Sequence, residues 1–123
     1  METRKNQHLK DVKGQSEDAL QQKCYIWFHN TYPNHRGLLF SVPNGMHTSK
    51  VQAVKMRRTG MVSGVSDLLL MLDGKTYCIE LKIQGGRQSQ TQKNWQEKVT
   101  TQGFEYVVLW SFKEFKEYVS NKF

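Results

Sequence analysis

An Asp-Gly pair between two apolar segments is the feature that most constrains how this chain can fold. Asp73 and Gly74 follow an unbroken apolar run over 68–72 and precede a second mostly apolar segment that starts at Lys75. Asp-Gly is a preferred pair for a two-residue type I′ turn, so the pattern predicts a β-hairpin with strands over 65–72 and 75–83.

The register of this hairpin places two carboxylates side by side. Counting outward from the turn, Asp67 lies opposite Glu80, and strand alternation puts Lys82 on the same face. The opposite face of the second strand carries a typical core pattern: Tyr77, Ile79, Leu81 and Ile83. Two acidic groups and one ammonium therefore converge at the end of the hairpin far from the turn, provided that no bulge shifts the pairing.

Opposed like charges destabilise a sheet unless something neutralises them, and a divalent cation is one candidate. Mg²⁺ binds through a few carboxylates and keeps several waters, so Asp67 and Glu80 are candidate ligands and the Leu81 carbonyl could add an oxygen. Lys82 beside such an ion could orient a water or stabilise negative charge on a phosphate. The alternative is a surface hairpin in which Glu80 and Lys82 form an ion pair in solvent.

Helices and strands are predicted on both sides of the hairpin. Periodicity and capping residues predict helices over 16–31, 49–59 and 90–102, an amphipathic helix after Ser111, and strands over 38–42 and 104–110. Ser89 with Gln92, and Ser111 with Glu114, have the spacing of capping boxes. The order α-β-α-β-β-α-β-α implies an α/β fold with a mixed central sheet flanked by helices.

Several apolar side chains are assigned to the core. Val51 and Val54 of the second helix are predicted to face inward. The tryptophans at 27, 95 and 110 lie on apolar faces, so they are predicted to be core residues and not base-stacking platforms.

Length and composition exclude several classes of protein. The 123 residues suffice for one domain, predicted over 15–123 after a flexible polar leader over 1–14. The longest apolar run is far shorter than the roughly 18 residues of a membrane span, and two cysteines without a Cys-x-x-Cys motif argue against a zinc finger or a disulfide scaffold. We therefore expect a soluble intracellular, cytoplasmic protein. Its net charge of +7 suggests a polyanionic partner.

Two short segments a dozen residues apart resemble the split active-site motif of the PD-(D/E)XK nuclease superfamily: Gly-Val-Ser-Asp over 64–67 and Ile-Glu-Leu-Lys over 79–82. Within it, four features spread over about residues 16–119 resemble the VRR-nuclease family of viral and repair enzymes. They are Ser16-Glu17 at the start of the first helix, the segment 60–67, the Glu-Leu-Lys strand, and Gly86-Arg87 followed by Ser89 and Gln92. Ser66 stands where that family usually has proline, which we interpret as the loss of a backbone restraint and not of chemistry.

The resemblance implies a restriction-endonuclease-like αβββαβ core and a divalent-metal-dependent deoxyribonuclease. Asp67 and Glu80 would hold Mg²⁺ or Mn²⁺, and Lys82 would serve the attacking water. Glu17 matches the acidic residue that completes the site directly or through water; alternatively, it is a first-turn glutamate favoured by the helix dipole. Gln92 matches the family's glutamine, but it is equally well explained as the capping partner of Ser89, and the two roles look hard to combine.

Basic and polar residues near these motifs are candidates for DNA contact. The group consists of Lys50, Lys55, Arg57, Arg58, Arg87, Asn44 and His47. The four basic residues at 50–58 would meet phosphate oxygens without reading sequence. The alternative is a solvated helix face.

The resulting hypothesis is a DNA endonuclease that hydrolyses phosphodiester bonds. The resemblance implies a homodimer that acts on branched DNA such as four-way (Holliday) junctions, and it allows a phage origin. The alternatives are a catalytically silent DNA-binding module on the same fold and a small RNA-binding domain. The intact set of Glu17, Asp67, Glu80 and Lys82 disfavours the first, and the lack of an RNP-like strand or a Gly-x-x-Gly clamp disfavours the second.

Overall fold

The computed structural model describes residues 16–43 and 49–123, so the predicted leader over 1–14 lies outside the described residues. The helices are α1 Glu17–Thr31, α2 Lys50–Arg58, α3 Gln90–Thr101 and α4 Phe112–Ser120, with a short 3-10 helix Pro33–His35 after α1. The strands are β1 Leu39–Ser41, β2 Leu68–Leu72, β3 Lys75–Leu81 and β4 Glu105–Leu109.

These strands form one mixed sheet in the order β1-β2-β3-β4. The pairs β1/β2 and β2/β3 are antiparallel, while β3/β4 is parallel and is connected through α3. Apart from α2, which is inserted between β1 and β2, and the final helix α4, the element order is the predicted αβββαβ core. The predicted α/β class with a mixed sheet is confirmed.

The central hairpin has the predicted turn and register. Asp73 and Gly74 have φ values of 54° and 78°, and a type I′ turn requires positive φ at both positions. The pairing runs from Leu72–Lys75 to Leu68–Ile79 without an inserted residue in the described strands. Strand pairing in this hairpin therefore ends one position before Asp67 and Glu80, the two carboxylates that the sequence predicts to lie side by side.

The hydrophobic core lies between one face of the sheet and the two helices α1 and α4. Its helical members are buried at helical spacing: Leu20, Cys24, Phe28, Phe115 and Val119. Its strand members alternate along the sheet, as one buried face requires: Leu39, Leu68, Leu70, Leu72, Tyr77, Ile79, Leu81 and Leu109. No helix among the described residues has both the length and the apolar composition needed to cross a membrane.

Two predictions about apolar side chains are wrong. Val51 and Val54 are 79% and 49% exposed, and every residue of α2 is at least partly exposed, because α2 packs no more than marginally against any other described helix or strand. Trp110 is 43% exposed because it follows the buried Leu109 at the end of β4, so alternation turns it away from the core.

The two predicted capping boxes differ in outcome. Ser89 and Gln92 form a complete box at the start of α3, with both reciprocal hydrogen bonds present. At the start of α4, the Ser111 hydroxyl accepts from the Glu114 N–H, but the Glu114 carboxylate accepts from the Trp110 N–H at 2.7 Å. The second box is therefore only half formed, because the glutamate bonds the residue before the cap.

The loop before β2 is pressed against the start of α3. Gly64 has a φ of 87°, and a Cβ built on it would lie 2.2 Å from the backbone oxygen of Thr91. Such a distance leaves no room for any side chain. Gly64 therefore fixes the loop that leads to Asp67 against α3.

We expect Gly64→Ala to destabilise the protein far more than Gly37→Ala. Gly37 has a similar φ of 92°, but a Cβ there meets nothing within 4 Å, so its substitution costs only the backbone strain of about 1–2 kcal/mol. Thermal unfolding of both variants measures the difference. Equal losses of stability would contradict the close-approach explanation.

Candidate active site

Five predicted site residues lie together at the end of the hairpin. Asp67 immediately precedes β2, Glu80 lies in β3 and Lys82 directly follows it. Glu17 begins α1 and Gln92 lies in the first turn of α3. The contacts described below connect these side chains around one polar centre.

Asp67 is held through its side chain and its backbone. Its Oδ2 accepts the Leu81 N–H at 2.7 Å, and its carbonyl accepts the Val42 N–H at 3.2 Å. In a strand, the N–H and C=O of one residue point toward the same neighbour. The Leu81 carbonyl therefore faces the side of β3 on which Asp67 lies, as its predicted role as an oxygen ligand requires.

Glu80 is a fully buried carboxylate with one oxygen bonded and one not. Its exposed fraction is 0%, and its Oε2 accepts a hydrogen bond from Gln92 Nε2 at 2.7 Å. Its Oε1 is buried without a hydrogen-bond partner in the described part of the chain. A buried acceptor without a partner is unfavourable, so this oxygen is suited to an additional electropositive partner.

Lys82 lies between two carboxylates and is 6% exposed. Its Nζ is 3.6 Å from Glu80 Oε2 and 3.8 Å from Glu17 Oε2. The alternative of a Glu80–Lys82 ion pair in solvent is therefore wrong, because both residues are buried. Glu17 stays more accessible, with 39% of its side chain exposed.

Gln92 caps α3 and also contacts the predicted catalytic set, two positions that were expected to be hard to combine. Its Oε1 accepts the Ser89 N–H at 2.8 Å, while its Nε2 donates to Glu80. The two ends of the amide serve different partners, so the roles do not compete. The cap of α3 thereby orients the Glu80 carboxylate.

The pKa values of the acidic residues are raised mainly by burial. Burial, together with the charge of Asp67, raises the pKa of Glu80 to about 8 against the lowering effect of Lys82. Burial also raises the pKa of Asp67, although the Leu81 N–H opposes this change. Burial raises the pKa of Glu17, with Lys82 acting in the opposite direction. A cation between these groups would favour their ionised forms.

The donor set fits a hard divalent cation of low protein coordination. Among residues 16–43 and 49–123, no three His, Cys, Asp or Glu side chains form a metal-binding group. Mg²⁺ does not need one, because it commonly takes one or two carboxylates and keeps several waters. Asp67, Glu80 with its unpartnered Oε1, and the Leu81 carbonyl could supply such a set. Glu17 lies 3.8 Å from Lys82 Nζ at the edge of the same site.

The loop after β3 passes directly beside this centre. A Cβ built on Gly86 would lie 3.6 Å from Glu17 Oε2 and 3.7 Å from Lys82 Cδ. Arg87, the next residue, is exposed. Gln88, which follows it, donates to Gln96 at 2.9 Å and to the Tyr106 hydroxyl at 3.3 Å, so α3 and β4 hold this loop in place.

The other predicted DNA contacts are only partly described. Lys50, Lys55, Arg57 and Arg58 are exposed on α2, as phosphate contact requires. Asn44 and His47 lie outside the described residues.

The loss of a backbone restraint that was inferred at Ser66 is offset by a hydrogen bond that no sequence pattern indicates. Its side chain is fully buried and its hydroxyl donates to the Leu68 carbonyl at 3.1 Å. This bond restrains the loop where a proline would otherwise do so, and only the buried environment reveals it.

Comparisons with known proteins agree with this geometry. A family model described as the VRR-NUC domain matches residues 15–113. A solved structure, named "VRR_NUC domain protein", is similar with a TM-score of 0.71 and 20% sequence identity over 88% of each chain, which shows a shared fold. Comparison with curated proteins gave no match.

The raised pKa of Glu80 predicts that the metal-free protein loses stability as the pH rises. Between its ordinary value of 4.5 and about 8, the folded state keeps a proton that the unfolded state releases, so the free energy of unfolding falls across this window. Glu80→Gln cannot ionise and should remove this slope. One pKa unit is worth 1.36 kcal/mol. We therefore expect the free energy of unfolding of the unchanged protein to fall with pH by at least about 1 kcal/mol more than that of Glu80→Gln, which is several degrees in Tm.

Thermal unfolding in a chelator at pH 5 to 8.5 measures this slope. Glu97→Gln removes an exposed glutamate of α3 and serves as the control for the loss of one charge. Parallel pH profiles for Glu80→Gln and the unchanged protein would show that Glu80 is ionised in the folded state.

Proposed function

Because the chain belongs to the VRR-NUC domain family, we propose that it is a divalent-metal-dependent DNA endonuclease centred on Asp67, Glu80 and Lys82. Membership implies a nuclease-type function in DNA processing. The buried Glu80 carboxylate supports the more specific proposal most strongly. Its Oε1 has no hydrogen-bond partner among the described residues, and the Lys82 ammonium is 3.6 Å from its Oε2. The Asp67 carboxylate lies close enough for its charge to act on Glu80.

The ligands would come from both strands of the hairpin. Asp67 and Glu80 would hold Mg²⁺ or Mn²⁺, the Leu81 carbonyl would add an oxygen, and Glu17 would act through water. When bound, the ion would make water more acidic and neutralise charge on the phosphate.

The remaining chemistry is assigned to this chain's own side chains. In the proposed reaction, a water oxygen bonds to phosphorus while the in-line P–O bond to one sugar breaks. The attacking water loses a proton to solvent, and the leaving sugar oxygen takes a proton from solvent. The Lys82 ammonium would orient that water and stabilise the negative charge that builds on the phosphate oxygens. Gln92 and the Leu81 N–H hold the two carboxylates in fixed orientations, so the site would need little rearrangement.

Binding of DNA would rest mainly on phosphate contacts. The exposed basic residues of α2 and Arg87 in the loop beside Gly86 are suited to neutralise phosphates, as is the net charge of +7. Such contacts carry no sequence information, so selectivity would come from DNA shape. We propose branched DNA such as four-way junctions as the substrate, cut by a homodimer whose two-fold symmetry supplies two sites.

Asp67→Asn and Glu80→Gln should each reduce the rate of metal-dependent nicking of supercoiled plasmid by at least about 100-fold, without loss of fold. The matched control is Asp73→Asn, because Asn-Gly forms the same turn and the residue is exposed. A chelator should stop the unchanged protein. If both site variants still cut, the assignment of the site fails; if the unchanged protein binds DNA without cutting it, the silent binding module is correct.

We expect cleavage of a four-way junction to exceed that of a linear duplex of the same sequences by at least about tenfold, equivalent to about 1.4 kcal/mol. The comparison includes a flap and an RNA duplex and is made at one salt concentration, because phosphate-dominated binding varies steeply with salt. Equal cleavage of junction and linear duplex would refute selectivity for branched DNA. Tight binding of the RNA duplex without cleavage of any of these substrates would favour the small RNA-binding domain.

A further inference from the structure

An exposed aromatic residue lies at the centre of the edge strand next to the candidate active site. Phe40 is the middle residue of β1 and is 36% exposed. β1 is the outermost strand of the sheet and pairs only with β2 in the described sheet. The metal site and the basic residues proposed above leave Phe40 without a role.

The strand register places Phe40 on the face of the sheet that carries the site. Leu39 is buried in the core under α1, so alternation turns Phe40 to the opposite face. Phe40 pairs with Leu69, and the Val42 N–H bonds the Asp67 carbonyl, so Asp67 is the diagonal neighbour of Phe40. Diagonal neighbours across antiparallel strands lie about 7–8 Å apart, within reach of an aromatic ring.

This spacing suits a nucleobase close to the phosphate at the site. Bases of one strand are about 3.4 Å apart in a duplex, so Phe40 lies about two base steps from Asp67. Aromatic side chains stack on any base, but only a base that has left its own stack is available. A linear duplex offers few such bases, whereas a branch point or a single-stranded segment offers them at little cost.

From this register and exposure, we propose that Phe40 forms a stacking subsite for an unpaired nucleobase beside the phosphodiester bond to be cut. The inference rests on the proposed nuclease function and specifies its substrate class. Stacking would favour branched or partly single-stranded DNA over a continuous duplex.

A second protein is a less suitable occupant of this surface. Phe40 lies on the same face as Asp67 and Glu80, about 7–8 Å from Asp67. A protein bound over Phe40 would therefore hinder access of DNA to the site. The net charge of +7 also favours a polyanion over an average protein surface. Contact with another copy of the chain is therefore treated as an outcome of the test.

The test measures binding by fluorescence anisotropy without divalent ions at one salt concentration. Two DNAs of matched sequence are used: a linear duplex and a junction with unpaired bases at its branch point. Phe40→Ala should weaken junction binding about tenfold and leave duplex binding unchanged, and Phe40→Trp should restore it. Met71→Ala is the control, because Met71 is an exposed apolar residue of the same face, 48% exposed, but four residues from Asp67.

Each other outcome overturns the inference. Unchanged binding of both DNAs by Phe40→Ala means that the ring is not used, and equal weakening of both means a structural or general role. Equal weakening together with a change of oligomeric state in sedimentation assigns Phe40 to contact between copies. Failure of Phe40→Trp to restore junction binding would rule out stacking.

The inference and the proposed function can fail separately. Asp67→Asn should lose cutting but keep the junction preference that depends on Phe40. If Asp67→Asn still cuts, the proposed function fails and the binding result stands on its own. If Asp67→Asn stops cutting while Phe40→Ala keeps full preference for the junction, only the stacking subsite is refuted.

Discussion

The burial of the Glu80 carboxylate is the constraint on which the arrangement of this molecule depends. A carboxylate without solvent is costly unless it is paired and hydrogen-bonded, and Glu80 is fully buried. Two parts of the fold supply its partners: the cap of α3 through Gln92, and the end of β3 through Lys82, which also lies beside Glu17 of α1. One oxygen is still unpartnered, so the protein satisfies this group incompletely by its own atoms.

The site is assembled from chain segments that each obey a local rule. The type I′ turn at Asp73 and Gly74 fixes the register that brings Asp67 to the level of Glu80. The contact of Gly64 with the Thr91 backbone holds the loop before β2 against the start of α3, which also carries Gln92. A change at the start of α3 would therefore disturb both the loop and the carboxylate, although neither belongs to that helix.

Local signals were sufficient to predict the hairpin, its register and the serine N-caps, but not the partner of the Glu114 carboxylate. They were not sufficient for packing: the periodicity of Val51 and Val54 is that of a buried face, but periodicity does not say whether a surface is available to cover it. The same limit applies to Trp110, whose direction depends on where β4 ends. Gln92 was recognised twice in the sequence, and only the geometry shows that its two amide ends serve different partners.

The incomplete satisfaction of Glu80 connects stability with the proposed chemistry. The hydrogen bonds from Gln92 and from the Leu81 N–H fix both carboxylates without any ion, so the entropy of ordering them is lost during folding and not during ion binding. An ion would then bind to carboxylates that are already oriented, and it would neutralise their buried negative charge. Such a cation would stabilise the fold, since a group that binds only the folded state shifts the equilibrium toward it. Without a cation, the folded protein is expected to be least stable at a pH at which its buried acidic residues ionise. The buried Glu80 carboxylate would therefore lower the stability of the ion-free protein and also provide an oriented ligand for the proposed reaction.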